Sequence, residues 1–194
     1  MKKSTKVLAT VLSLVLLVSL SVGGTMAYLH ARSETVTNTF TFGNLGLALD
    51  ESTGEDYELI PGVNIKKDPK VTLSTPNGYE DVDAYVYVRV EESANWPNAM
   101  IPGTQPQTRK VDYALAEGWD ALEGVPHVYC RLVKANDPVK TFSVLKNDTI
   151  TVSGTLAKEE LPSSDSSATL TITAYAAQAD GMEDAKDAWV KAGF

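Results

Sequence analysis

The stretch Ala84-Tyr85-Val86-Tyr87-Val88-Arg89-Val90 alternates without a break. A period of two places Ala84, Val86, Val88 and Val90 on one side and Tyr85, Tyr87 and Arg89 on the other, which a strand accommodates and a helix does not. The same period runs through Glu34–Phe42, where Thr35, Thr37, Thr39 and Thr41 oppose Val36, Phe40 and Phe42. Beyond Gly43-Asn44 the apolar positions become Leu45, Leu47 and Leu49. That change of parity implies a bulge or tight turn at the glycine. Further strands are expected at Lys70–Ser74, Lys110–Leu115, His127–Lys134, Lys140–Leu145, Thr149–Leu156 and Ala168–Ala177. Turn clusters such as Pro61-Gly62, Thr75-Pro76-Asn77-Gly78 and Pro102-Gly103 separate them. Short strands with this punctuation predict an all-β fold, an antiparallel jelly-roll-like β-sandwich. Helix is limited to a turn within Ala114–Ala121 and a short C-terminal helix over Met182–Lys191. Met182, Ala185, Ala188 and Trp189 form its apolar stripe, and Asp180 is its expected cap.

The first thirty residues follow another rule. Lys2, Lys3 and Lys6 precede the uncharged run Val7–Val22, which ends in Gly23-Gly24-Thr25-Met26-Ala27. A basic start, an apolar core and small residues before a polar segment describe a secretory signal helix cleaved between Ala27 and Tyr28. The alternative is an uncleaved anchor, since about 20 apolar residues span a bilayer and the uncharged run extends to Leu29. The expected organisation is a signal peptide at 1–27, a candidate donor strand at 28–43 and a β-sandwich domain at 44–194. Membrane contact would be confined to the signal peptide before cleavage.

The 194-residue chain has 17 basic and 25 acidic residues, a net charge of −8. Loss of residues 1–27, with three lysines and no acid, leaves 167 residues at −11. Such a chain releases few counterions from a phosphate backbone, so nucleic acid is not an expected partner. The single cysteine, Cys130, excludes an internal disulfide and reads as a buried small hydrophobe. His30 and His127 have no histidine one helical turn away, so no catalytic residue, metal ligand or cofactor is assigned. The acidic runs Glu80–Asp83 and Asp180–Asp184 lack alternating calcium-loop ligands and read as solvated acids and helix-capping residues. Trp96, Trp119 and Trp189 read as packing residues rather than a sugar platform.

Four groups of residues together resemble the TasA and camelysin family of secreted Gram-positive matrix proteins. Gly23–Tyr28 is similar to the end of a signal peptide processed by a SipW-type peptidase. Phe42-Gly43-Asn44-Leu45-Gly46-Leu47 resembles the family's Phe-x-x-Gly-x-Leu-x-Leu, with one spacing difference. Pro61-Gly62, Lys67-Asp68-Pro69-Lys70-Val71 and Asp83–Arg89 resemble its middle segment. Ala174-Tyr175, Gln178–Gly181 and Ala188-Trp189 resemble the C-terminal signature of short members. The resemblance implies a jelly-roll sandwich exported to the cell surface and assembled into biofilm-matrix fibres. Camelysins are described as metalloproteases, but no zinc motif is identifiable in the sequence, and that activity is not carried over.

An assembly route also follows from the residues. A free alternating strand from Tyr28 to Phe42 can add to a neighbour's sheet edge, with Val36, Phe40 and Phe42 filling pockets. A repeated head-to-tail contact gives an open filament. The expected partners are therefore other copies of the chain and a SipW-like signal peptidase, with matrix or anchoring proteins as further candidates. Two readings remain beside this one: the segment folds back as the first strand of its own domain, or the protein is a monomeric adhesin or carbohydrate-binding sandwich.

Overall fold

A computed structural model of the chain describes residues 30–32, 39–42, 45–54, 56–76, 80–104, 106–161 and 167–194. The signal helix expected at 1–27 and the parity change at Gly43 lie outside these residues. In chain order the strands are β1 (His30–Arg32), β2 (Thr39–Phe42), β3 (Gly46–Asp50), β4 (Asp56–Glu58), β5 (Ile65–Lys66), β6 (Lys70–Ser74) and β7 (Ala84–Glu92). There follow β8 (Val111–Asp112), β9 (Asp120–Ala121), β10 (Val128–Val133), β11 (Thr141–Ser143), β12 (Thr149–Val152) and β13 (Leu170–Gln178), then the helix α1 (Ala185–Ala192). The all-β expectation holds, with one short C-terminal helix.

A five-stranded sheet in the order β2-β13-β7-β10-β9 carries the structure, beside the three-stranded sheets β11-β6-β3 and β5-β12-β8 and the pair β1-β4. The period-two pattern assigns its faces. Ala84, Val86, Val88 and Val90 of β7 join Leu170, Ile172, Ala174 and Ala176 of β13 in one core with Leu47, Leu49, Val71, Leu73, Val111, Ile150 and Val152 of the smaller sheets. The odd-numbered residues Tyr85, Tyr87, Tyr175 and Ala177 face the other way and pack with Val128, Ala188, Trp189 and Phe194. The sheet is thus covered by two small sheets on one side and by α1 on the other.

The structure departs from the sequence expectations in four places. The sheet is not wholly antiparallel, because β2 runs parallel to β13, pairing Thr39–Phe42 with Ala174–Ala177. No helical turn forms within Ala114–Ala121. Leu115 instead bridges to Leu145, and Gly118 turns the chain at φ +86°, a conformation glycine adopts without a Cβ penalty. The cap of α1 is Asp184 rather than Asp180: its carboxylate accepts from the Asp187 amide at 2.8 Å. Cys130 is half-buried, under α1, rather than fully enclosed.

Candidate functional site

The N-terminal segment meets the body of the molecule through two backbone ladders. β1 pairs antiparallel with β4, placing His30 opposite Glu58, Ala31 opposite Tyr57 and Arg32 opposite Asp56. β2 forms the outer edge of the large sheet, with Phe40 opposite Tyr175 and Phe42 opposite Ala177. Of the residues singled out in the sequence, Ala27, Tyr28 and Val36 lie outside the described part. The backbones of Phe40 and Phe42 lie in β2, and their side chains fall outside the description. The strand that receives them is lined by small residues: Ala174, Ala176 and Ala177 are all buried.

Beneath β4 lies a polar cluster that sequence reasoning missed. The Lys67 ammonium is fully buried, and its Nζ sits 2.9 and 2.8 Å from the two Glu51 carboxylate oxygens. Tyr57, the central residue of β4, donates its hydroxyl to Glu51 Oε1 at 2.5 Å, and its ring lies 5.2 Å from Lys67 Nζ. Burial and the neighbouring Glu51 carboxylate push the Tyr57 hydroxyl well above its ordinary range, so it stays a donor. Next to it Asp68 accepts from the Ser52 hydroxyl at 2.6 Å and from the Ser52 and Thr53 amides at 3.0 and 3.1 Å. Those bonds, led by the Ser52 hydroxyl, hold its carboxyl down to about 2. Lys67 and Glu51 are 16 positions apart and read as ordinary surface charges. The signal available in sequence was that Lys67-Asp68-Pro69 stands among the residues carrying the family resemblance.

The remaining candidates are engaged in packing or ion pairing. Asp81 is held by Lys140 and Thr75, and Asp83 pairs with Lys134 at 2.8 Å while accepting from the Ala135 amide. Trp96, Trp119 and Trp189 are 7%, 8% and 4% exposed, too enclosed to stack a sugar ring. His127 is exposed in a loop at φ +61°, and His30 lies on β1. An open groove of about 460 Å³ runs beside Asn64, Arg109, Tyr113 and Thr151. The Arg109 charge there is already met by Glu92 at 2.7 Å and Asp112 at 2.9 Å. Among the described residues no group of three or more His, Cys, Asp and Glu side chains is placed to hold a metal ion, and no helix is long and apolar enough to cross a membrane.

The chain is therefore an all-β protein whose N-terminal strands are docked at its periphery. The model of one family, described as camelysin metallo-endopeptidase, matches residues 2–94, just under half of the chain. Over that segment the chain is similar to this family. The matched segment holds β1, β2, the Glu51–Lys67–Tyr57 cluster and β7, whereas β13 lies beyond it. No curated protein and no solved structure matches the chain. The metal that the family's description implies finds no fitting set of donors among the described residues.

Proposed function

We propose that this chain is a structural protein of the cell surface or biofilm matrix, exported by a signal peptide cut between Ala27 and Tyr28 by a SipW-like peptidase. In this reading its jelly-roll-like sandwich assembles head to tail, each copy lending the strand within Tyr28–Phe42 to the next. The observation that carries it is the placement of β2: a four-residue edge strand held to β13 by backbone pairing. A partner's identical strand satisfies the same hydrogen bonds, so exchange between copies costs little in pairing energy. Catalysis and cofactors have no part in this function, and the family's peptidase description is not extended to the chain.

Electron microscopy of the mature chain beginning at Tyr28, beside a form lacking Tyr28–Phe42, tests the proposal. Filaments are expected from the first and soluble particles from the second. Equal filament formation by both rejects strand exchange. A casein-cleavage assay with and without chelator tests the absence of catalysis, and chelator-sensitive cleavage by the purified chain would overturn it. The glycan-binding alternative gains nothing from the three enclosed tryptophans.

A further inference from the structure

We infer that β4 and the Glu51–Lys67–Tyr57 cluster form a second receptor for the N-terminal segment of a neighbouring copy. Exchange then engages two edges at once: His30–Arg32 on β4 and Thr39–Phe42 on β13. The inference rests on the strand-exchange reading and adds to it a second, antiparallel contact.

β4 is three residues long, and its strand partner among the described residues is β1. A two-stranded ladder of that length is far too small to hold itself extended. The cluster beneath supplies the order. Tyr57 at its centre is fastened to Glu51, and its hydroxyl also lies 2.5 Å from the Gly54 carbonyl oxygen and 3.0 Å from Thr53 Oγ1. Glu51 is fixed in turn by Lys67, whose side chain is 1% exposed. Asp68 closes the preceding turn on Ser52 and Thr53. The edge is thus preformed by groups outside the N-terminal segment, and a preformed edge lowers the ordering cost of binding an extended chain.

The two ladders are also tied to each other. Residues 33–38 connect β1 to β2, a reach of about 23 Å at about 3.3 Å per residue. The two strands of one N-terminal segment serve both edges of the same body. A copy whose β2 moves to a neighbour therefore carries β1 with it, unless the chain crosses between subunits inside that short link. The receptors differ in polarity, antiparallel on β4 and parallel on β13, so the segment docks in one direction only.

The test uses the mature chain with Cys130→Ser and single cysteines placed at paired positions. Two singly substituted proteins are co-assembled and treated with a short bifunctional thiol reagent, so that a mixed dimer reports contact between copies. His30→Cys with Glu58→Cys probes β4, and Thr39→Cys with Ala174→Cys probes β13. Dimers specific to both mixtures are expected. Dimers from the Thr39/Ala174 mixture alone overturn the second receptor while strand exchange stands. Mixed dimers from neither reject strand exchange itself and this inference with it. Adding Tyr57→Phe to the Glu58→Cys protein is expected to lower the His30/Glu58 yield several-fold and leave the Thr39/Ala174 yield unchanged. Equal His30/Glu58 yields with and without it overturn the role assigned to the cluster.

Discussion

The two faces of the β7–β13 ladder bury similar stretches of strand by different chemistry. On the sandwich side, valine, leucine, isoleucine and alanine from three sheets interlock, and the Lys67–Glu51 pair stands at the margin with Tyr57 packed against the core. On the helix side the filling is aromatic. Trp189 lies edge-on to Tyr87 and Tyr175 at 5.0 and 5.1 Å, Phe194 packs against all three rings, and Arg89 sits 5.5 Å above the Trp189 ring. Branched aliphatics need many mutual contacts to fill space, whereas a few large rings cover the same area with one short helix. The sandwich face therefore depends on residues spread along the chain, and the helix face on the last ten residues meeting a few positions of β7, β10 and β13.

The largest effect is expected at the margin of the sandwich face. Lys67→Met takes a buried cation away from the Glu51 carboxylate, which is 5% exposed, and a loss of about 3–5 kcal/mol is expected from urea denaturation. Adding Glu51→Leu should restore most of it, because the pair is then replaced whole rather than broken. Trp189→Ala removes the hub of the helix face and is expected to cost about 3 kcal/mol. Hydrogen exchange should then speed up in α1 while the amides of β6 stay protected. Equal acceleration in both would show that the two faces form one cooperative unit and break the comparison.

Acid provides the next probe. The Asp68 carboxyl is held to about 2 in the folded protein against an ordinary 3.8. A lowered folded value means that its stabilisation is fully present above the ordinary value and is lost as pH falls through the folded one. Stability should decline between about pH 4 and about pH 2, and Asp68→Asn should flatten that limb in a pH series of urea midpoints. Tyr87→Phe takes the donor from the Ala185 carbonyl, bonded at 2.7 Å, and should cost about 1 kcal/mol. The smallest change is expected from Lys191→Ala, whose exposed pair with Asp187 is screened by solvent, so that the thermal melting midpoint should barely move.

The difference between the faces also decides what was legible. β7 was readable in both strand and face because its alternation runs unbroken, and β6, β10 and β13 were readable as strands from their runs of β-forming residues. The stripe of Met182, Ala185, Ala188 and Trp189 likewise marked the inner side of α1. By contrast β4, β5 and β9 are two or three residues long, and the partner that extends them, rather than their composition, makes them strands. Alternation carries no direction, so nothing in Glu34–Phe42 could reveal that β2 runs parallel to β13. The polar cluster was hidden for another reason. Glu51 and Lys67 acquire their role only when the turn closed by Asp68 brings them together, and a lysine at a buried site looks in sequence like any other lysine.

The pairing of β2 with β13 joins the first described strand of the large sheet to its last. Thr39 leaves the ribosome 135 positions ahead of Ala174, its partner in the ladder. Pairings this distant in sequence close slowly, because the loop between them must be ordered before the contact repays it. Until the last strand of the sheet is in place, β2 lacks the edge it pairs with in this fold. The ladder that completes the large sheet is therefore among the last to form, and its edge is finished only when β13 has joined β7.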